Sequence, residues 1–416
     1  MHTCHNDIAE LAIDIGEALL INGGEIHRVE DTISRICKSK GAVKTDAFCI
    51  IKAIVVTVKF EDGTVFTSSR RIHTTSSNYK RIERLNSLSR DLCSGSISVE
   101  DARKKLKRIK EGFKCPLQKL IIGYILFAFS CAMFFGGTFF DALMTIPCAL
   151  FMTAYTLVVG KLGINKTVYN FIASFLCGVI IMTLPLLGAQ INAGHVITGS
   201  LMLLIPGIAL SNSIEDLLMG DTTSGILNIC ESVLAACAIA AGYALAIKVF
   251  GVSDILGVPT EYTWYALLIL SLLSAFSYAM VGNASTTLFL CISIGGALSY
   301  AIYHFTFLFT ANEFGSIFIA SALTTLYSRI CAIKLKCPTP IFSTPSLIPL
   351  APGNVLYLTI YHALRSDWNN MQFYFLKTLL IASGIALGLM AVMFLWDLIS
   401  NLIGSAKAVK NKEQNT

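Results

Sequence analysis

From residue 117 to residue 404 the chain is almost wholly apolar, and its charges collect mostly at the ends of the apolar runs. A helix needs about 20 such residues to cross ~30 Å of hydrocarbon. In lipid every backbone amide must be satisfied within the protein, so helices are the form such runs take. Reading at that length gives ten candidate spans, near 117–139, 142–160, 168–187, 194–211, 226–249, 263–282, 285–307, 315–333, 344–364 and 376–399.

Two strings recur inside this region. Phe171-Ile172-Ala173-Ser174 returns as Phe318-Ile319-Ala320-Ser321, and Leu204-Ile205-Pro206-Gly207 returns loosely as Leu350-Ala351-Pro352-Gly353. The offsets are 147 and 146 residues, so one alignment serves both. The reading is an internal duplication of a five-span unit, and chance matching in low-complexity apolar sequence is the competing account. An odd number of spans reverses the second copy, so the two copies are expected to be inverted repeats. The expected architecture is an α-helical polytopic membrane protein of about ten transmembrane helices in two inverted five-helix repeats, 117–250 and 251–404. A small N-terminal α+β cytoplasmic domain (1–116) precedes them and a polar tail (405–416) follows.

Each Pro-Gly pair breaks its span, because proline removes a backbone donor and clashes with the preceding turn. The freed main-chain groups must line protein or a wet cavity. A half-helix starting at Gly207 or Gly353 offers amide donors and partial positive charge to a carboxylate. Pro206, Gly207, Asn212, Asp216, Pro352, Gly353, Asn354 and Tyr357 are therefore the expected substrate-binding residues. Glu231 reads as an acid inside the fifth span and, with Asp221, as a proton-coupling candidate, since acids at that depth usually face a cavity or proton path. Glu215 reads as part of a solvated loop. Arg329 and His362 stay open: Arg329 snorkels or meets an acid, and His362 follows the second break. His195 and His304 read as interfacial. Gly384 and Gly388 permit close helix packing.

Residues 1–116 hold 20 of the 32 Lys/Arg and 15 of the 26 Asp/Glu, hence +5 of the net +6. That basicity speaks of membrane side, not nucleic acid. No signal peptide is visible, so this domain and both termini are expected on the cytoplasmic side of the inner membrane. Lys161, Lys166, Lys334 and Lys336 fall on the same side, against Lys248, Arg365 and Lys377 opposite. The thirteen cysteines form no C-x-x-C pair, and no disulfide framework, metal site or cofactor is expected. In the domain, 7–41 reads as two helices broken at Asn22-Gly23-Gly24, 48–57 and 64–67 as strands, and 77–112 as helix with Ser98 as N-cap. The basic run 103–114 reads either as a lipid headgroup contact or as a solvated helix face. Glu25, His27, Arg28 and Glu30 read as a surface ion-pair set, with no phosphate loop or nucleophile motif to suggest an enzyme.

At PGIALSNSIEDLLMGDTTSGILNICE, at IPLAPGNVLY and at ALLINGGEIHRVEDTISRI the chain resembles the threonine/serine exporter family, over nearly its whole length. The resemblance implies export of small polar acids driven by the proton gradient. Many relatives carry a Glu where Arg329 stands and a basic residue where Asn228 stands. The leading expectation is a secondary exporter exchanging a hydroxy amino acid for protons. Dicarboxylate export, a channel and a membrane-tethered enzyme or sensor are the alternatives. Partners are expected to be the small-molecule substrate, protons, membrane lipid and possible copies of the same chain.

Overall fold

A computed structural model describes residues 2–72, 76–251 and 259–413. The N-terminal part is α+β. Helices α1 (His2–Ile21) and α2 (Ile26–Ser39) are separated by Asn22-Gly23-Gly24, where Gly23 takes φ +91°. An antiparallel sheet follows in the order β1 (Ala42–Ile50), β2 (Ala53–Phe60) and β3 (Val65–Arg71). The strand expected at 48–57 is thus two strands turning at Ile51-Lys52, with Ile50 paired to Ala53. The expected helix at 77–112 is also two, α3 (Tyr79–Cys93) and α4 (Val99–Glu111), the second capped by Ser98 accepting from the Asp101 amide at 3.1 Å. The basic run on α4 is tied down in place. Arg103 bonds Asp7 (3.0 Å), Lys105 bonds Asp91 (2.7 Å), and Ala102, Leu106 and Ile109 are buried.

The apolar region builds α5 (Leu117–Phe134), α6 (Phe139–Leu143), α7 (Ile146–Val158), α8 (Lys166–Leu186), α9 (Ala193–Leu201), α10 (Gly207–Met219) and α11 (Thr222–Phe250). It continues with α12 (Trp264–Val281), α13 (Phe289–Thr310), α14 (Glu313–Leu335), α15 (Pro340–Ser346), α16 (Gly353–Leu364) and α17 (Trp368–Glu413). Among the described residues, eight helices are long and apolar enough to cross a membrane, or nine if the pair Pro340–Ser346 and Ile348–Leu364, bent by 41°, counts as one span. The chain is therefore a polytopic helical membrane protein, with fewer continuous spans than the ten expected. The missing continuity lies at the fourth span, the two short helices α9 and α10 divided before Gly207, and at the ninth, bent between α15 and α16. Helix α17 runs to Glu413, so much of the expected tail extends the last helix.

The elements recur at one spacing. Helices α5 and α12 both start and end 147 residues apart, α8 and α14 start 147 apart, and so do α9 and α15. Past the breaks the spacing drops to 146, as between α10 and α16 and between α11 and α17. The repeated Phe-Ile-Ala-Ser string has a packing role in both copies. A Cβ on Gly242 of α11 would lie 2.3 Å from Ser174 Oγ and 2.4 Å from the Phe171 carbonyl oxygen. A Cβ on Gly388 of α17 would meet Ser321 Oγ and, at 2.8 Å, the Phe318 carbonyl oxygen. Each serine also donates to its own phenylalanine carbonyl at 3.0 Å. Gly384 likewise lies close against Ile317.

The N-terminal part does not hang free. Its core is continuous with Ala275, Ala279, Leu288 and Phe342 of the helical region. The Tyr79 amide donates to Gly282 O (2.8 Å), Asn283 Nδ2 donates to Phe113 O (2.8 Å), and Ser285 donates to Glu83 (2.6 Å). The Arg90 guanidinium also donates to the Lys336 carbonyl.

Gly388→Val and Gly242→Val should each destabilise the protein by about 1–3 kcal/mol, the usual range for overpacking. A thermal melt of the detergent-purified protein should show both lowered. Gly160→Val, where a Cβ meets nothing within 4 Å, should leave the midpoint unchanged.

Candidate functional site

The two breaks meet. Pro206 ends the irregular stretch after α9 and Pro352 the one after α15, and each is followed at once by a glycine that starts a new helix. A Cβ on Gly207 would stand 2.8 Å from the Gly353 amide nitrogen and 3.0 Å from its Cα. A Cβ on Gly353 would stand 2.7 Å from Met202 Cε. The contact is backbone to backbone, so no ligand fits between the glycines, and the open space lies beside them.

That space is a small cavity with polar and apolar walls. Ile208, Ser211, Asn212 and Glu215 line it from one face of α10, at helical spacing. Thr325 reaches in from α14, Thr339, Ser343, Thr344 and Leu347 come from around α15, and Ile385, Leu389 and Met393 from α17. Glu25, at the start of α2, completes the wall. In a bundle this apolar, five hydroxyls, an amide and two carboxylates on one cavity mark a polar binding site. Burial raises the Glu25 carboxyl above its ordinary value, outweighing Arg28, His27 and Arg329, which pull it down.

Two readings of the sequence change here. Glu215 was expected in a solvated loop, but α10 continues to Met219, so Glu215 faces the cavity one turn beyond Ser211 and Asn212. Glu25 was expected in a surface ion-pair set, but the docked N-terminal part carries it onto the cavity. The hydroxyls around α15 were not singled out either. Their signal is the stretch Cys337-Pro-Thr-Pro-Ile-Phe-Ser-Thr-Pro-Ser346, polar and proline-rich between two apolar spans.

Of the expected site residues, Asn212 lines the cavity, and Pro206, Gly207, Pro352 and Gly353 form the crossing of the breaks above it. Asp216 accepts from Asn228 Nδ2 (3.2 Å) and is not among the lining residues. Asp221 is the exposed N-cap of α11. Asn354 sits in the first turn of α16. Tyr357 is buried against Tyr243 and Tyr361, with ring centroids 6.5 and 6.0 Å away. His362 contacts Asp367 (3.0 Å) and stacks on Tyr374. The Arg329 guanidinium lies 4.8 Å from the Trp396 ring and acts on Glu25. Glu231 lies within α11, one of the helices long and apolar enough to cross a membrane. It forms an ion pair with Lys52 at the β1–β2 turn, so the first turns of α11 lie at the level of the N-terminal part. Glu30 accepts from the Cys49 amide at 2.7 Å. Among the described residues, no three His, Cys, Asp or Glu side chains gather as a metal site.

Two family models cover most of the chain. One, described as "Putative threonine/serine exporter", matches residues 10–250, and the other, "Threonine/Serine exporter, ThrE", matches 267–395. The chain belongs to the threonine/serine exporter family. A family relative, the threonine/serine exporter of Corynebacterium glutamicum, is 20% identical over 411 residues, covering 93% of this chain and 83% of its own. No solved structure matches. Family membership makes this a multi-pass membrane transporter. The first match spans the N-terminal part and α5–α11 together, so the family unit includes the docked domain.

Glu25 carries a pH prediction. A carboxyl whose folded pKa is raised contributes stability at low pH and loses it as pH rises from 4.5 through the raised value. Thermal midpoints should fall across that window in the natural protein and fall less in Glu25→Gln. The Lys52–Glu231 pair is half exposed, so Lys52→Glu should destabilise by less than about 1 kcal/mol. Adding Glu231→Lys should restore the midpoint.

Proposed function

We propose that this protein is a secondary exporter of small hydroxy amino acids, threonine and serine foremost, that works by alternating access and takes protons in exchange. The observation that carries the reading is the cavity beside the crossed breaks, with hydroxyls and carboxylates gathered in an otherwise apolar bundle. A zwitterion needs both signs of partner. The first turn of α10 offers amide donors at the inner end of the cavity, through Ile208. Glu215, seven residues on and about 10 Å along the axis, offers an acceptor for an ammonium. Hydroxyls on Ser211, Thr325, Ser343 and Thr344 lie between for the substrate's own hydroxyl. A dicarboxylate would meet repulsion from Glu25 and Glu215.

Proton exchange follows from the same groups. Carboxylates taken out of water favour the protonated form until an opposite charge arrives. A substrate ammonium at Glu215 replaces a proton there, and departure of the substrate restores it. In this reading Glu215, not Glu231, is the principal coupling acid, with Asp221 outside the cavity.

Two inverted halves supply the alternate packings. The spacing of 147 then 146 residues supports the duplication. Reciprocal packing supports the two-fold relation: α10 lies on α17 while α16 lies on α11, and α5 packs on its counterpart α12. Lys52 at Glu231 marks one end of α11. Tyr243 stands twelve residues further, about 18 Å along the axis. There it closes with Tyr357 and Tyr361 on the side of the breaks away from Glu215. With the N-terminal part on the cytoplasmic side, as the lysine distribution supports, this is the inward-facing arrangement.

Proteoliposomes loaded with labelled threonine, serine or succinate, with and without an imposed pH gradient, test the reading. Threonine and serine efflux should rise with the gradient and saturate. Succinate efflux without threonine efflux overturns the substrate, and non-saturating flux indifferent to the gradient overturns the mechanism in favour of a channel. Glu215→Gln should reduce gradient-driven efflux at least tenfold while the protein keeps its thermal midpoint.

A further inference from the structure

Glu25 occupies the N-cap of α2, with φ −62° and ψ 140°, yet its side chain makes no capping hydrogen bond. Carboxylates at that position ordinarily bond the second or third amide of their helix. This one is turned to other use, and it borders two spaces. One is the cavity beside the breaks. The other is a small cleft between α2, α3 and the chain at Pro338 and Pro340, which Glu25 lines together with Arg28, Thr32 and Asn86. Glu25 therefore stands where the cleft adjoins the cavity.

Arg28 follows Glu25 by three residues, so both side chains project from one face at the start of α2. The Nη1 atom of Arg28 is buried and has no hydrogen-bond partner. A buried guanidinium nitrogen without an acceptor is costly, and a planar carboxylate is the ligand its fork fits. The cleft thus presents an unmet cationic donor and, beside it, a carboxylate not engaged in capping. That is the charge pattern of an α-amino acid in reverse.

We propose that this cleft is an entrance subsite for zwitterionic α-amino acids, in which Arg28 receives the substrate carboxylate and Glu25 its ammonium. The inference rests on the export reading above and names where the substrate first binds. Glu25 then serves both spaces: an ammonium leaving it enters the cavity toward Glu215 while the carboxylate leaves Arg28. The anchoring is rigid enough for the task. Asn22 Nδ2 donates to Ala18 O at 2.7 Å, the Ser76 amide donates to Ile21 O at 2.7 Å, and Gly24 is packed on Leu19. The charged groups acting on Glu25 are Arg28 and His27 from α2 and Arg329 from α14, and Glu25 in turn acts on Glu215 and Asp216 of α10.

The test uses the full chain. Thermal stabilisation of the purified natural protein should be seen with threonine. It should be lost both with threoninol, which lacks the carboxylate, and with N-acetylthreonine, which lacks the ammonium. In proteoliposomes, Arg28→Gln and Glu25→Gln should each raise the KM for threonine about tenfold or more, the loss of a charged hydrogen bond. Arg28→Gln should leave kcat within about twofold, and Arg28→Lys should recover only part of the affinity. An unchanged KM in both variants, with threonine still exported by the natural protein, overturns the subsite and leaves the export reading standing. Equal stabilisation by threoninol and threonine also overturns it. Absence of threonine export by the natural protein removes both.

Discussion

A main chain inside lipid has no water to bond, and this protein interrupts two of its membrane helices all the same. The interruptions at Pro206 and Pro352 are tolerable because they are buried against one another. Glycine at 207 and 353 lets the two backbones approach to a distance that any side chain would prevent. Much of the rest is arranged around that crossing: short helices above and below it, a polar cavity beside it, and tyrosines packed past it. The Pro-Gly pairs set where the polar groups of the bundle are exposed, and the site forms there.

The docked N-terminal part changes what kind of site this is. It is joined to the helices by buried apolar contact through Ala275, Ala279 and Phe342 and by main-chain bonds at Gly282 and Asn283. Its β1–β2 turn reaches Glu231 and its α1–α2 turn reaches the cavity. A transporter whose soluble domain supplies one wall of the cavity cannot be understood from its spans alone. The family match running unbroken over residues 10–250 agrees with the two parts acting as one unit.

How much of this was legible in the sequence follows from which interactions are local. A proline followed at once by glycine breaks a helix from local chemistry alone, where the lone Pro185 stays inside α8, so the crossing residues could be read at once. Repeated strings preserve packing, and Phe171 to Ser174 with Phe318 to Ser321 could be matched because both cradle a glycine on a neighbouring helix. The β1–β2 turn was missed because Ile51-Lys52 holds none of the residues that usually mark a hairpin. The Lys52 partner of Glu231 could not be read because hydropathy measures composition, and a hairpin reaching the helix from a distant part of the chain leaves no trace in composition. Glu25 and Glu215 were underrated for a related reason. Each looks solvated from its own neighbours, and only the docking of α2 beside α10 encloses them. The hydroxyls of α15 were hidden by the absence of a charge to draw attention to them.

The crossing at Gly207 and Gly353 has a mechanical meaning. Helices that interlock through side chains must lift knobs out of holes before one can turn past the other. Here the two glycines meet with only hydrogen on each Cα, so the contact between them holds no knob to lift, and the side chains that flank it are the flexible Met202 with Ile205 and Ala351. Any turning of one rod on the other would then be resisted mainly away from the glycine contact, by the tyrosine cluster past it and by the docked domain that borders the opposite mouth.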